Sequence, residues 1–265
     1  MTGNDRRKGE CTVQLYYAVT AADFREAVGN GRRFVHVAYR IGEESALLRQ
    51  PPPLRTHGDF MSIGDREAGA VNSPEALCGA VVRECLRRGY QAVVLDFETG
   101  PRDDLRAFAG LLEARLRENR RKLYVPETYI DAAPEAVELV CTAVSGGNFQ
   151  EYLEEILQRR GGGERVALDV QRLRMDFRLP APTGEGVPLD PDAFETLREG
   201  KAVYFSPDLC ARYFTCTRDG QAHFVLFDDA DTIRHKLRIG EAYGIETAFL
   251  QWPEVRDIAP ALSSY

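Results

Sequence analysis

Short apolar runs alternate with longer segments of helical periodicity along most of the chain, and this alternation constrains the fold more than any other feature. The apolar runs lack period-two polarity, which is typical of strands that are buried on both faces of a parallel sheet. The clearest run is Ala-Val-Val-Leu at residues 92–95. The predicted strands are residues 13–17, 34–39, 59–63, 92–95, 123–125, 137–143, 165–170 and 247–251.

Helix signals fall between these strands. The strongest is Ser73-Pro74-Glu75, which offers a capping side chain, a proline at the first helical position and an acid in the first turn. This helix is predicted to end at Gly89. The other predicted helices are residues 21–29 with Thr20 as cap, 104–118, 149–159 with Asn148 as cap, and 229–243 with Asp228 or Asp229 as cap and Gly244 at its end.

Eight strands, each usually followed by a helix, predict an α/β fold of the (β/α)8 TIM-barrel type. The 265 residues suit one such domain over 1–265, with residues 1–10 as a flexible N-terminus. Residues 178–226 break the rhythm with prolines and glycines, a short strand at 202–205 and a hairpin across Arg218-Asp219-Gly220. They are predicted to form a small inserted hairpin region before the last helix and strand.

Composition excludes several classes of function. A net charge of −7 argues against a nucleic-acid partner and against anionic lipid surfaces. The six cysteines form no C-x-x-C pair and the four histidines are scattered, so no metal and no organic cofactor is predicted. The sequence has neither a signal-peptide pattern nor a run of about 18 apolar residues. The cytoplasm is therefore the default expectation, with a spore-associated or extracellular location left open and the oligomeric state undetermined.

The candidate site follows the fourth predicted strand. Active sites of TIM barrels lie at the carboxyl ends of the strands, and this strand ends in Asp96, with Glu98 two residues on. Residues two apart share one face of a strand, so both carboxylates should point to the barrel mouth. Neighbouring carboxylates raise the pKa of one of them, as a general acid requires. From the spacing alone, a catalytic pair of carboxylates and a pair that is merely exposed to solvent are equally expected.

Several stretches resemble the glycoside hydrolase family 18. Residues 91–98, QAVVLDFE, resemble its signature D-G-x-D-x-D-x-E and the D-F-E ending of spore-germination-type members. Residues 36–39 (HVAY) are similar to the second-strand H-I-N-Y pattern, and residues 59–64 to the third-strand S-I-G end. Residues 227–236 (FDDADTIRHK) are similar to F-D-D-x-x-S-[IL]-x-x-K, and Trp252 falls near the eighth-strand tryptophan. The resemblance spans roughly residues 13–255.

This resemblance implies substrate-assisted, retaining hydrolysis of N-acetylhexosamine-containing glycans such as peptidoglycan or chitin fragments. Glu98 would protonate the glycosidic oxygen, and Asp96 would orient the acetamido group that attacks. The residues expected to contact the sugar are Tyr16 or Tyr17, Tyr39, Tyr129, Gln171 and Trp252. An oligosaccharide or polysaccharide is the one partner implied.

The departures from the family pattern keep alternatives open. Gln91 and Val94 stand where the signature has aspartates, and residues 141–144 (CTAV) stand where the sixth strand has M-T-Y-D. Tyr129 is a candidate substitute for that tyrosine. The second hypothesis is therefore a catalytically decayed barrel that binds carbohydrate or acts as a scaffold. A third is a two-carboxylate mechanism in which Glu98 pairs with Glu127 or Glu254.

The segment after the seventh strand is open to two interpretations. Gln171, Arg172, Arg174 and Asp176 could line the mouth and bind a charged substrate, or form a salt-bridged loop, which is the favoured interpretation.

Overall fold

A computed structural model describes residues 12–29, 33–50, 58–181 and 184–262. The predicted flexible segment 1–10 lies outside these residues. In chain order the elements are β1 (Gln14–Val19), α1 (Phe24–Val28), β2 (Arg33–Ile41), β3 (Leu47–Arg49), β4 (Phe60–Gly64), α2 (Pro74–Arg88), β5 (Ala92–Asp96), α3 (Asp103–Glu118), β6 (Lys122–Pro126), β7 (Val137–Cys141), α4 (Phe149–Arg160), β8 (Val166–Val170), β9 (Arg174–Arg178), β10 (Val187–Pro188), α5 (Pro191–Arg198), β11 (Tyr204–Ser206), β12 (Ala211–Arg218), β13 (Gln221–Phe227), α6 (Ala230–Ala242), β14 (Thr247–Gln251), α7 (Trp252–Val255) and α8 (Ala259–Leu262).

Eight parallel strands close into a barrel in the order β1, β2, β4, β5, β6, β7, β8 and β14, and β14 pairs back onto β1. The predicted (β/α)8 barrel is confirmed, and every predicted strand has an observed counterpart. The helix start at Ser73-Pro74 is confirmed too, and the helix ends at Gly89 in a left-handed conformation with φ of 76°. Glycine suits this position because a side chain would strain that backbone.

The helices depart from a regular barrel in two respects. Within the described residues no α-helix joins β2 to β4 or β6 to β7. Instead, β3 pairs antiparallel with β2, and a 3-10 turn at Glu127–Tyr129 follows β6. The first helix is also shorter than predicted: it begins at Phe24, with Asp23 at its N-cap position. Thr20 closes the turn just before it, because its hydroxyl accepts from the Asp23 N–H at 3.4 Å and its carbonyl accepts from the Phe24 N–H at 3.1 Å.

The inserted region is larger than predicted. Arg174 to Phe227 form a five-stranded antiparallel sheet in the order β10, β9, β13, β12, β11, together with α5. The hairpin across Arg218-Asp219-Gly220 is confirmed as the β12–β13 connection. Helix α5 covers one face of this sheet, where Phe194 packs 4.8 Å from Phe227 between ring centroids. The predicted hairpin missed β9, β10 and α5 because prolines and glycines separate these short elements.

Side chains that point into the barrel fill its lower half. Tyr16, Phe60, Tyr124 and Phe249 come from four different strands and form one aromatic layer, with centroids 4.1 Å apart for the first pair and 5.3 and 5.1 Å apart for the next two. Such layers make a TIM barrel a packed core rather than a pore. The cleft of the molecule opens above this layer, at the carboxyl ends of the strands.

A buried ion pair fixes the entry into the last helix. Lys236 Nζ donates to both oxygens of Asp228 at 2.8 and 2.9 Å, and both side chains are fully buried. Asp228 also accepts from the Thr232 hydroxyl at 2.8 Å and from the Leu173 backbone at 3.2 Å. Asp229 caps α6. Residues 227–236, which resemble a family motif, thus tie α6 to the end of β13 and to the loop after β8.

We expect Lys236→Met to lower the free energy of unfolding by about 3–5 kcal/mol, since it leaves the Asp228 carboxylate buried without its cation. Urea denaturation measures this change. The double variant Asp228→Asn/Lys236→Met should recover part of the loss because no buried charge then remains.

Arg165→Met is the matched control, because Arg165 and Glu135 are 39% and 46% exposed and such a surface pair contributes at most about 1 kcal/mol. Equal destabilisation by Lys236→Met and Arg165→Met would contradict the structural role of the buried pair.

Candidate active site

A cleft of about 990 Å³ opens at the carboxyl ends of the barrel strands, a volume that suits a small-molecule or oligosaccharide ligand. Its floor includes Phe249 of the aromatic layer and Val94. The polar residues around it come from the strand ends and the loops that follow: Ser62, Arg66, Asp96, Glu98, Cys141, Asp169, Gln171 and Gln251. Alternation along the strands places them there.

Asp96 is the last residue of β5, and its half-buried side chain lines the cleft. Burial and, next in size, the charge of Glu98 raise the pKa of Asp96 to about 6. Asp96 therefore holds its proton to a higher pH than an ordinary aspartate does. The position of Asp96 and Glu98 at the end of the strand predicted two interacting carboxylates here, and the charge of Glu98 does contribute to the raised pKa of Asp96.

Glu98 follows in the loop after β5, lines the cleft and is 45% exposed. It accepts a hydrogen bond from Arg66 Nε, and this ion pair raises the pKa of the Arg66 guanidinium. The Glu98 backbone is held separately, because its N–H donates at 2.8 Å to Asp65, whose side chain is fully buried. Asp65 also accepts from the Thr99 backbone at 3.3 Å. Asp65 thus fixes the loop that carries Glu98.

Asp169 is a cleft residue that sequence reasoning missed. It lies on β8, and burial raises its pKa to about 6, against a hydrogen bond of 2.8 Å from Gln171 Nε2 that lowers it. The charge of Asp96 raises the pKa of Asp169 further. Alternation was the available signal: Ala167 points into the barrel core, so Asp169 and Gln171 share its face.

The predicted aromatic contacts are mostly corrected. Tyr16 is 5% exposed and belongs to the aromatic layer beneath the cleft, where it stacks on Phe60. Tyr129 is buried, and its hydroxyl donates to the Gly100 carbonyl at 2.8 Å rather than lining the cleft. Neither offers a surface to a sugar.

Trp252 also lies away from the cleft. It is 2% exposed, packs edge-on against Tyr17 at 5.5 Å, and its Nε1 donates to Glu26 at 3.4 Å. The reason is the register of β14: Phe249 and Gln251 line the cleft, so the next residue points outward. Gln251 therefore takes the place that the resemblance gave to the tryptophan.

Tyr39 and Gln171 border the cleft as predicted, but in different ways. The Tyr39 hydroxyl turns outward and donates to Glu84 of α2 at 3.0 Å, and burial raises the pKa of Tyr39 well above its usual range. Gln171 is exposed and holds Asp169. Tyr152 of α4 is an additional cleft residue, half-buried, with its pKa raised by burial and by the charge of Glu127. Its position on a helix gave no strand-end signal.

The other predicted carboxylates are compensated. Glu127 pairs with Arg159 at 2.8 Å, and Glu254 accepts from the Arg172 backbone at 3.2 Å, although both border the cleft. The segment after β8 is held by a salt bridge from Arg172 to Asp257 at 2.6 Å and by a hydrogen bond between His223 Nδ1 and Asp176 at 2.9 Å.

Within residues 12–29, 33–50, 58–181 and 184–262, no three His, Cys, Asp or Glu side chains are arranged to hold a metal ion. In the same ranges, no helix has the length and apolar character needed to cross a bilayer.

Comparison with known proteins places the fold. No protein-family model and no curated protein sequence matches the chain. Solved structures do match: a chitinase from Chromobacterium violaceum has a TM-score of 0.67 at 15% identity, covering 92% of this chain and 95% of that one. The spore cortex-lytic enzyme SleL of Bacillus cereus has a TM-score of 0.66 at 14% identity, covering 92% and 71%. SleL of Bacillus megaterium has a TM-score of 0.62 at 16% identity, with the same coverage.

The chain therefore shares the barrel fold of these chitinase and spore cortex-lytic enzyme structures. The low identity agrees with the departures from the family 18 pattern that the sequence resembles, at Gln91, Val94 and Ala143.

We expect Asp96→Asn to stabilise the protein above pH 6. Folding raises the pKa of Asp96 from its ordinary 3.8 to about 6. The folded state is therefore favoured while the carboxyl is protonated, and this contribution to stability is lost as the pH rises through 6. Asparagine removes this loss, so the free energy of unfolding at pH 8 should rise by about 1–3 kcal/mol, with little change below pH 4.

Chemical denaturation at the two pH values measures the effect. Asp219→Asn is the control, because Asp219 is exposed in the hairpin turn at φ 53°, which asparagine tolerates. A gain that is equal at both pH values, or the same gain in the control, would contradict the buried charge of Asp96.

Proposed function

We propose that this protein is a glycoside hydrolase that cleaves N-acetylhexosamine-containing glycans, such as peptidoglycan or chitin fragments, by substrate-assisted retaining hydrolysis. One observation carries the proposal: Asp96 and Glu98 lie at the end of the fourth barrel strand, both line the cleft, and the barrel has the family 18 fold. Barrel enzymes place their catalytic side chains at such strand ends.

In the proposed mechanism Glu98 takes up a proton from solvent once Arg66 has released it, and gives that proton to the glycosidic oxygen while the bond from that oxygen to the anomeric carbon breaks. The acetamido oxygen of the same sugar forms the new bond to the anomeric carbon. Ionised Asp96 accepts the acetamido N–H and stabilises the positive charge that develops there. Water then attacks the anomeric carbon, the bond from that carbon to the acetamido oxygen breaks, and water gives a proton back to Glu98.

The geometry around the two carboxylates supports these roles. Glu98 is the more exposed, as a group that reaches a glycosidic oxygen must be, and Asp65 holds its backbone. Arg66 has to release Glu98 before proton transfer, and this contact is weak because solvent screens a pair that is exposed on both sides. Ser62, Gln171, Gln251 and Tyr152 offer hydrogen bonds to sugar hydroxyls.

Glu98→Gln should abolish turnover of fluorogenic N-acetylglucosamine oligomers and of purified peptidoglycan, by about 10²–10⁴-fold, because glutamine cannot donate the proton. Initial rates with both substrates measure this. Glu155→Gln, an exposed position on α4, is the matched control and should keep wild-type rates. Turnover by Glu98→Gln at the wild-type rate would contradict the mechanism.

A second candidate is a barrel that binds glycan without cleaving it. The observations that favour it are Gln91 and Val94 in place of signature aspartates, and Ala143 at the sixth-strand position where the family has its tyrosine. Glycan binding by wild type and by Glu98→Gln, with turnover by neither, would support this candidate.

Glu127→Gln tests the two-carboxylate alternative, since only that mechanism predicts a loss as large as that of Glu98→Gln.

The cellular compartment stays a prediction: the cytoplasm by default, with spore-associated and extracellular locations open.

A further inference from the structure

Charge is distributed unevenly around the cleft. Among the described lining residues the guanidinium groups are Arg40, on β2, and Arg66, in the loop after β4. On the closed barrel β8 lies opposite β4, since three strands separate the two in either direction. The side of the cleft formed by β8 and β14 carries Asp169 and, just after β14, Glu254. The cations and these two carboxylates therefore occupy different sides of the cleft.

The two arginines are already paired within the protein. Arg40 binds Glu67 at 2.9 Å, and Arg66 binds Glu98. Among the described residues that line the cleft, carboxylates outnumber guanidinium groups by six to two; they are Glu67, Asp96, Glu98, Glu127, Asp169 and Glu254. A ligand that carries negative charge is therefore repelled by the cleft as a whole.

Asp169 lies beside the floor of the cleft, between two other lining residues. In the strand register it pairs with Phe249 of β14 on one side and with Cys141 of β7 on the other. Gln171 and Gln251 follow two residues after Asp169 and Phe249 along the chain, and both line the cleft as well. This wall thus presents one carboxylate and two amides above an aromatic ring.

The Asp169 carboxylate is held in place and still has an acceptor to offer. Gln171 Nε2 donates to its Oδ2 at 2.8 Å, and no residue that the structure describes donates to its Oδ1. An ionised carboxylate accepts hydrogen bonds and donates none, so its natural ligand groups are hydroxyls and N–H groups. Gln251 can bind a ligand too, because its side chain makes no capping bond to α7, which begins after it.

We propose that the substrate is a neutral N-acetylhexosamine glycan, and that Asp169, with Gln171 and Gln251, binds hydroxyl groups of the sugar on the β8–β14 side and repels a sugar that bears a carboxylate there. This inference rests on the proposed function for the class of glycan. It names Asp169 as a residue that determines specificity, by direct contact with the substrate.

The proposal separates the two kinds of glycan that the cleft could take. Chitin fragments are neutral along their whole length, whereas every second sugar of peptidoglycan is N-acetylmuramic acid, which carries a carboxylate. A hydroxyl that donates to Asp169 forms a charge-assisted hydrogen bond, which is stronger than a neutral one. A carboxylate at the same place offers no donor and brings like charges together, so the contact that favours one sugar excludes the other.

The test measures the dissociation constants of two probes at pH 8, where Asp169, whose pKa burial raises to about 6, is ionised. The neutral probe is a tetramer of N-acetylglucosamine, and the anionic probe is the peptide-free tetrasaccharide of peptidoglycan. Both carry sulfur in place of the glycosidic oxygens, so that the wild-type protein cleaves neither. We expect wild type to bind the neutral probe more tightly, by about tenfold or more.

Asp169→Asn should weaken binding of the neutral probe by about tenfold, because the charged acceptor is lost, and should strengthen binding of the anionic probe. Added salt should strengthen binding of the anionic probe to wild type, since it screens the repulsion, and should do so less in Asp169→Asn. Asp219→Asn, at an exposed turn position outside the cleft, is the matched control and should keep both wild-type affinities.

Equal or tighter binding of the anionic probe by wild type overturns the inference, and so do affinities in Asp169→Asn that equal those of wild type. Gln251→Ala keeps the test valid if Asp169→Asn folds poorly: it should weaken binding of the neutral probe by about threefold, and an unchanged affinity overturns the inference.

The failure of this inference can be told apart from the failure of the proposed function. Turnover of N-acetylglucosamine oligomers by a wild type whose affinity does not depend on Asp169 overturns the inference alone. Binding of the neutral probe that does depend on Asp169, by a wild type that cleaves no such oligomer, supports the inference and overturns the hydrolase.

Discussion

Side chains that point into the barrel fill its lower half with aromatic rings and leave its upper half to carboxylates and amides. The period of two along each parallel strand decides which residue faces inward, and closure of β14 onto β1 brings eight such rows together. The aromatic layer of Tyr16, Phe60, Tyr124 and Phe249 closes the barrel from below. The polar side chains that line the described cleft therefore lie at the ends of the strands and in the loops that follow.

Burial at this end has an energetic cost. Asp96 and Asp169 lie where burial raises the pKa of both to about 6, so the folded protein at neutral pH carries charge in a site that favours neutral groups. Natural proteins tolerate such a cost at functional sites when the surrounding structure is well determined. Here Asp65 holds the loop after β5, and the Asp228–Lys236 pair anchors α6 beside β8. The site thus keeps buried carboxylates whose ionisation is unfavourable, and the hydrogen bonds and the ion pair of the surrounding segments hold them in place.

The strands and the position of Asp96 and Glu98 could be predicted because each depends on local pattern. An apolar run of four residues followed by an acid is visible in the sequence, and β14 matches its predicted bounds. Trp252 shows where prediction from the sequence fails. A tryptophan at this position suits a sugar-binding surface, but alternation along the strand places Gln251 in the cleft and turns Trp252 outward. Tyr129 fails for another reason, because a 3-10 turn replaces a helix after β6 and buries its ring.

Asp169 and Asp65 could not be found by resemblance, since no family motif covers them. Asp169 follows from alternation on β8 once the strand is known to face the core, whereas Asp65 matters only through contacts across the sequence to Glu98 and Thr99. Contacts between distant segments depend on how the barrel closes, and no short stretch of the sequence reveals them. The site therefore combines two residues that spacing reveals with others that only the closed barrel brings beside them.

The most direct measurement of the account is the anomeric configuration of the first product formed from an N-acetylglucosamine oligomer, followed by proton NMR before mutarotation. Attack by the acetamido oxygen and then by water predicts retention, with the β-anomer appearing first from a β-linked substrate. Appearance of the α-anomer first would mean a single displacement by water, and would contradict the roles given to Asp96 and Glu98.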